Sequence, residues 1–195
     1  MSADPDTVLA FWFEGERDTP REAWFRQSDA YDAAIRARFG ALPEQARGGM
    51  LDHWAATPAG ALALCLVLDQ FPRNLHRGRA EAFACDAKAL EVARAAVLRD
   101  RLDLCGGLTP TERVFLYLPF EHAETMVDQD LSVALFEGGL RDAGPRFRQP
   151  GGSIDYAWRH WHVIREFGRF PHRNAALGRE STAAERAWLA AGGGF

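Results

Sequence analysis

Two arginine residues of this sequence stand in nearly identical turns. The turns are Phe71-Pro72-Arg73-Asn74 and Phe170-Pro171-His172-Arg173-Asn174. A guanidinium group holds its N–H donors in a planar fork, which binds a carboxylate or a phosphate through parallel hydrogen bonds. If both turns fold to the same place, Arg73 and Arg173 predict a clamp for such an anion, with Asn74 and Asn174 beside them.

A purely structural explanation of the two turns stays open. Proline moves the residue before it out of helical geometry, so we expect one helix to end at Phe71 and another at Phe170. Asparagine accepts the left-handed backbone angles that close such corners. Arginine near a helix C-terminus satisfies the free carbonyl groups there. Each residue could therefore serve only to build the corner.

A second group of polar residues lies in a segment that we expect to be one helix over 120–142. On that helix His122, Glu124 and Gln129 interrupt stripes that are otherwise apolar. Buried ionisable groups need partners, and the arginines of the two turns are natural ones. The remaining face, which we expect to be solvated, carries Glu121, Thr125, Asp128 and Ser132.

Histidine side chains raise the question of a metal site. His160 lies on an apolar stripe of the helix expected over 154–168, and His172 lies in the second turn. Together with His122 and Glu124 they could bind zinc. However, the sequence has no H-E-x-x-H motif, and residues at positions i and i+2 do not face each other on a helix. We therefore predict no metal and no other cofactor.

Acid–base chemistry without a metal is a further possibility. Partial burial would shift the pKa values of His122 and Glu124 and so make them useful for proton transfer. The glycine pairs are not followed by the lysine of a phosphate-binding loop, and there is no serine nucleophile elbow. The sequence thus leaves an uncharacterised enzyme, such as a hydrolase, as an alternative to a binding protein.

Helix-start signals recur along the chain, whereas alternating apolar and polar runs are nearly absent. Thr109 and Thr182 each precede a glutamate at the spacing of a capping box, and Thr19 does the same. The helix at 58–70 is apolar all round and should be central. We expect helices at roughly 5–13, 20–26, 29–39, 43–55, 58–70, 84–99, 110–117, 120–142, 154–168 and 183–191.

These elements predict one all-α domain over residues 1–195. Short connections make neighbouring helices antiparallel hairpins, and the repeated turn suggests a tetratricopeptide-like solenoid. No clean period of about 34 residues is visible, so a compact helical array is the alternative.

Several segments resemble the signature blocks of the bacterial domain of unknown function 924 family, and the resemblance spans essentially the whole chain. The main blocks are Asp69-Gln70-Phe71-Pro72-Arg73-Asn74, Pro119-Phe120-Glu121-His122-Ala123-Glu124 and Phe167-Gly168-Arg169-Phe170-Pro171-His172-Arg173-Asn174. The resemblance implies an all-helical, tetratricopeptide-like fold and supplies no activity, substrate or catalytic residue. Ala123 stands where the family more often has serine, which argues against a hydroxyl nucleophile at this position.

Composition excludes several classes of function. The net charge is −4, which argues against nucleic acid as a partner. The longest apolar segment, 59–68, is far shorter than the about 20 residues of a membrane-spanning helix. Three cysteines without a C-x-x-C motif and a start unlike a signal peptide predict a cytoplasmic protein with reduced thiols.

We therefore expect a binding or interaction module with a groove lined by arginine, histidine and glutamate, whose partner is an acidic peptide segment or a small anion. A polar network that only fixes helix packing is the remaining alternative. The residues expected to bind the ligand are Arg73, Asn74, His122, Glu124, Gln129, His160, His172, Arg173 and Asn174.

Overall fold

The computed structural model describes residues 4–24 and 26–195, so residue 25 of the helix expected at 20–26 lies outside the described residues. The described part contains helices, turns and loops and no strand, which confirms the all-α prediction. The α-helices are α1 Pro5–Trp12, α2 Asp29–Phe39, α3 Leu42–Arg47, α4 Pro58–Cys65, α5 Phe71–Leu75, α6 Asp86–Arg94, α7 Leu102–Cys105, α8 Pro110–Glu121, α9 Met126–Gly139, α10 Ser153–Phe167 and α11 Ala183–Ala190. Short 3-10 helices lie at Glu22–Trp24, Asp52–Ala56, Ala80–Phe83, Pro145–Phe147 and Pro171–Arg173.

Helix α4 is the central element, as its all-apolar sequence predicts. Thr57 caps its N-terminus by accepting a hydrogen bond from the Gly60 N–H, and Pro58 occupies the first helical position. Every residue from 61 to 68 is fully buried. Helices α1, α6 and α8 pack around it, so its apolar surface is covered on all sides.

The expected helix end at Phe71 is wrong. After α4 the chain forms a π-helical turn, Leu66–Gln70, and continues directly into α5, which contains Pro72. A proline inside a helix lacks one N–H and crowds the preceding turn, and a π turn is one of the ways in which a helix accommodates an irregularity. The first repeated turn therefore belongs to a helix, whereas the second is the 3-10 turn Pro171–Arg173 that follows α10.

The prediction of a single helix over 120–142 is also wrong, because a short turn interrupts the helix between α8 and α9. Helix α8 ends at Glu121, and Thr125 starts α9 by accepting a hydrogen bond from the Asp128 N–H. This N-cap competes with continuation of the helix, and it resets which residues share a face. As a result, the faces that a single continuous helix predicts for the side chains of residues 120–125 do not apply.

Two of the three expected capping boxes are confirmed, those of Thr109 with Glu112 and Thr182 with Glu185. The Thr19 box is wrong, because the Thr19 hydroxyl donates to Glu16 and only the short turn Glu22–Trp24 follows. The helix expected at 43–55 divides into α3 and a 3-10 turn, and the one at 84–99 ends in a π turn, Ala95–Arg99.

Helix α9 packs against both α8 and α10. These three helices form the side of the fold that carries His122 and His160. A compact helical array is consistent with this arrangement, and the tetratricopeptide-like solenoid stays a prediction. No helix in the described part of the chain has the length and apolar character to cross a bilayer. All three cysteines are free, Cys65 and Cys85 buried and Cys105 exposed.

A buried carboxylate joins α2 to the first repeated turn. Asp32 accepts hydrogen bonds from the Asn74 amide at 2.7 Å and from the Arg77 Nε at 2.6 Å. Burial raises the pKa of Asp32, but the hydrogen bonds from Arg77 and Asn74 outweigh it and hold the pKa below its ordinary value.

We expect Asp32→Asn to lower the free energy of unfolding at pH 7 by about 1–3 kcal/mol, because it removes charge-assisted hydrogen bonds. The folded-state pKa is depressed, so this contribution is present above the unfolded pKa of about 3.9 and disappears as the pH falls below it. Urea unfolding at pH 7 and at acidic pH measures the difference. Asp29→Asn, at an exposed position of the same helix, is the matched control. An equal effect of both substitutions would contradict the assignment.

Candidate functional site

A buried aspartate in the π turn is the centre of the polar chemistry. Asp69 is 1% exposed, and its carboxylate accepts a hydrogen bond from His122 Nδ1 at 2.7 Å and another from the Gln70 amide. The Arg73 guanidinium lies 3.3 Å from the same carboxylate. Burial raises the pKa of Asp69, but the Arg73 charge and the His122 contact prevail and hold the pKa well below its ordinary value. Asp69 is therefore ionised.

The two arginines of the repeated turns converge on one carboxylate. Arg73 donates two hydrogen bonds to Asp86, at 2.9 and 3.0 Å, and Arg173 donates one to the same group at 3.3 Å. Both guanidinium groups also lie over the ring of Phe83. The two turns thus meet in space, and they meet next to His122, which shares Asp69 with Arg73.

His122 is held in one tautomer by its neighbour. An ionised carboxylate only accepts hydrogen bonds, so the Nδ1 atom that contacts Asp69 carries the proton. Burial and the Arg73 charge lower the pKa of His122, even though Asp69 opposes the change. The neutral ring therefore has a bare Nε2, and the side chain remains 13% exposed.

His160 is held in the same way from α10. Its Nδ1 lies 2.9 Å from the Tyr156 carbonyl, which can only accept, so this nitrogen also carries the proton. Burial lowers the pKa of His160 well below its ordinary value, and His122 adds to the effect. The ring stacks on Phe195 with the two centroids 3.6 Å apart and lies 6.1 Å from the His122 ring.

Glu121 is not solvated, so the expectation for this residue is wrong. It is 3% exposed, and one carboxyl oxygen lies 3.2 Å from His160 Nδ1. The other oxygen, Oε2, is buried and has no hydrogen-bond partner within the described part of the chain. Burial, together with the charge of Asp69, raises the pKa of Glu121 well above its ordinary value. The neutral, protonated form of this carboxyl group is therefore favoured.

The prediction of a solvated position is also wrong for Asp128 and Ser132, which are buried. Thr125 is exposed as predicted. Asp128 accepts hydrogen bonds from the Thr125 hydroxyl and from Arg94. The break before α9 turns this face of the helix inward.

Glu124 lies apart from His122 and has a separate set of partners. Its carboxylate accepts a hydrogen bond from the Phe170 N–H at 2.8 Å and two from Arg179 at 2.6 and 3.0 Å. Burial raises the pKa of Glu124, but the Arg179 and Phe170 hydrogen bonds outweigh it, so the net shift is downward. Glu124 therefore connects the end of α8 to the second repeated turn, through hydrogen bonds that do not involve His122.

The amide groups of the predicted site all donate hydrogen bonds within the protein, although the buried Oε1 of Gln129 has no partner among the described residues. Asn174 donates to Ser181 and Glu185 and accepts from Arg179, as Asn74 donates to Asp32. Gln129 is fully buried and donates to the carbonyl groups of Glu121 and Ala123, at 2.7 and 2.8 Å. These contacts stabilise the corners and the end of α8, and a role in ligand binding stays a prediction for all three.

His172 is exposed at the edge of the site, with its ring 5.6 Å from the rings of Phe170 and Phe195. The structure thus brings together Arg73, Arg173, His122 and His160 and places His172 at their margin. We use the name polar network for Asp69, Arg73, Asp86, Glu121, His122, His160 and Arg173.

The polar network includes acids that the sequence alone did not assign to the site. Asp69 has a recognisable signal, because it follows the entirely apolar run 59–68 and precedes Arg73 by one helical turn. Asp86 has no such signal, since it stands at the start of an ordinary amphipathic helix. Glu121 was assigned to the solvated face because the helix break was missed.

Comparison with known proteins identifies the family. The family described as "Bacterial protein of unknown function (DUF924)" matches residues 8–193, so the chain belongs to it. A solved structure, that of the protein of unknown function ATU0120 from Agrobacterium tumefaciens, is similar with 35% sequence identity and a TM-score of 0.80. The similarity covers 95% of this chain and 96% of that one. Among curated proteins, none matches this chain.

Glu121 and Glu124 provide a test of the charges in the site. We expect Glu124→Gln to lower the free energy of unfolding by about 1–3 kcal/mol, because it weakens charge-assisted hydrogen bonds to Arg179 and Phe170. Glu121→Gln should be nearly neutral or stabilising at pH 7, because it replaces a protonated carboxyl by a neutral group of the same shape. Denaturant unfolding of both variants in metal-free buffer gives the comparison. An equal loss of stability in both would show that Glu121 is ionised.

Proposed function

We propose that this protein binds a carboxylate or phosphate group, carried by a small anion or by an acidic peptide segment, at the edge where Arg173 meets Arg73. The supporting observation is that both arginines already converge on one carboxylate, that of Asp86. The Asp86 carboxylate thus occupies a position in which two arginines stabilise a negative charge. Asp86 is 22% exposed, so this position is open to solvent.

Arg173 retains capacity for a further anion. Its single bond to Asp86 is long, at 3.3 Å, and its buried Nε has no hydrogen-bond partner among the residues that the structure describes. Burial and the nearby Arg73 lower the pKa of Arg173 to about 10, a change that a further negative charge nearby would oppose. A bound anion would supply the missing charge and accept the free donors.

The surroundings of Arg173 restrict how a ligand can approach. Its guanidinium plane lies over the rings of Phe170 and Phe83, at 4.5 and 4.7 Å from their centroids. The two rings cover part of the group, and a ligand has to approach its N–H edge, where the donors lie. His172 and Phe195 are exposed beside this edge and could contact the remainder of a peptide.

Open surface cavities elsewhere in the fold are not part of this proposal. One adjoins α1 and the other lies between the end of α6 and α9, and neither is lined by a residue of the polar network. The proposed ligand places one acidic group on the arginine edge, outside both of these cavities.

Isothermal titration with inorganic phosphate and with a glutamate-rich hexapeptide tests the proposal and distinguishes the two sources of the acidic group. Arg173→Leu should weaken binding about 10-fold or more, because it removes the fork of donors. Arg173→Lys should retain only part of the affinity, since a point charge lacks the fork. Arg165→Leu, at an exposed position of α10, is the matched control.

Absence of binding by the wild-type protein at millimolar concentrations of either probe would contradict the proposal. Unchanged affinity in Arg173→Leu would do the same. Either result would favour the alternative in which the polar network only fixes the packing of the helices.

An enzymatic function is a second candidate, favoured by the contact between Asp69 and His122. A carboxylate on Nδ1 orients an imidazole so that Nε2 can take a proton, as in the acid–base–nucleophile triads of hydrolases. In this version Asp69 orients His122. Glu124, which the sequence suggested as a second group for proton transfer, binds Arg179 and the Phe170 N–H instead.

Turnover of ester or phosphoester substrates would test the second candidate. We expect His122→Gln to lower the rate constant by about 100-fold or more, because it removes the base. Asp69→Asn should lower kcat more than it changes KM. Activity that is unaffected by His122→Gln would exclude this residue as the base.

A further inference from the structure

Three ligand-type side chains converge inside the polar network. Glu121, His122 and His160 each offer one ligand atom, and these atoms lie within 4.8 Å of one another. Glu121 and His122 are consecutive, so a continuous helix would direct them to different sides. Because α8 ends at Glu121, both can turn towards His160 on α10.

The hydrogen bonds of both imidazoles are those of metal-binding histidines. His122 donates its Nδ1–H to a carboxylate, and His160 donates its own to a backbone carbonyl. Such partners fix the ring and leave Nε2 bare, and they recur behind histidine ligands in metalloproteins. Two rings from different helices have this arrangement at one place.

Glu121 supplies an independent observation. Its Oε2 is buried and lacks a hydrogen-bond partner within the described ranges, although the residue is only 3% exposed. A buried carboxyl oxygen without a partner is unfavourable, and it requires an explanation such as an absent ion. A cation between the three side chains would give this oxygen a partner.

The charges nearby permit a cation. Arg73 and Arg173 would repel it, but the carboxylates of Asp69 and Asp86 form ion pairs with these two arginines and offset them. Glu121 would lose its proton when it coordinates, as metal ligands do, and would then contribute its own negative charge.

We propose that Glu121, His122 and His160 form a binding site for a divalent transition-metal ion. Two imidazole nitrogens and one carboxylate oxygen suit zinc, cobalt or iron(II) and do not suit calcium or magnesium, which take mainly oxygen ligands. The sequence did not predict this site, because the helix expected over 120–142 places Glu121 on its solvated face. The metal site does not depend on the proposed anion binding, because the anion would bind Arg73 and Arg173 and the metal ion would bind other residues.

The test uses chelator-treated full-length protein and cobalt(II) as the probe. Titration should produce visible absorption bands that saturate at one cobalt ion per chain, and zinc should displace the cobalt. Each of Glu121→Gln, His122→Gln and His160→Gln should weaken binding about 100-fold or more, because each removes a ligand. Asp69→Asn should weaken binding by about 10–100-fold through the loss of ring orientation.

His162→Gln, at an exposed position of the same helix as His160, is the control and should bind cobalt like the wild type. Glu121→Gln preserves the shape of the side chain, so it separates loss of binding from loss of folding, which circular dichroism checks. No saturable absorption at millimolar cobalt would overturn the proposal. Binding that is equal in wild type and Glu121→Gln would also overturn it, because the ion would then be bound elsewhere.

Discussion

The structure depends on the need to compensate one buried carboxylate. Asp69 lies at the end of the most apolar segment of the chain and is almost inaccessible to water. An unpaired charge in such a place would cost several kcal/mol or would take up a proton. Arg73, Gln70 and His122 prevent this, and each is fixed in place by doing so. Arg73 then reaches Asp86 on α6, and Asp86 reaches Arg173 beyond α10. One buried acid thereby joins four parts of the chain that are distant in sequence.

The environment gives two nearby glutamates opposite properties. Glu124 faces Arg179 and a backbone N–H, so its ionised form is favoured and it acts as a connection between α8 and the second repeated turn. Glu121 faces Asp69 and the apolar interior, so its neutral form is favoured. Only three positions separate the two glutamates. The turn between α8 and α9 nevertheless places Glu121 within the core and leaves Glu124 partly exposed. Glu124 therefore acts as a structural ion-pair partner, whereas Glu121 remains available as a metal ligand in the proposal above.

Sequence reasoning succeeded where one local signal dominates. The all-apolar helix α4 and the capping boxes of Thr109 and Thr182 are such cases, because the signal and the structure depend on the same few residues. It failed at Pro72 and at His122–Thr125, where a π turn and a threonine cap compete with the simple helical period. Neither outcome is determined by periodicity, since both depend on how the segment packs against the remainder of the fold.

The candidate site shows the same division. Arg73, Arg173, His122 and His160 could be proposed from the sequence, because a repeated turn and polar residues on apolar stripes are visible there. Asp86 and the inward position of Glu121 could not, because contacts between distant elements determine them. Asp69 and Glu121, the acids that lie beside His122 and His160, were consequently not among the predicted site residues, whereas the two histidine rings lie 6.1 Å apart.

The central claim is that burial keeps both imidazoles neutral, and that the acceptors behind them place the single proton of each ring on Nδ1. Two bare Nε2 atoms then remain in the site. Nitrogen-15 NMR of the histidine side chains at pH 7 measures this directly. We predict that His122 and His160 both show a protonated Nδ1 and an unprotonated, pyridine-type Nε2. A proton on Nε2 of either ring, or a doubly protonated imidazolium, would contradict the account.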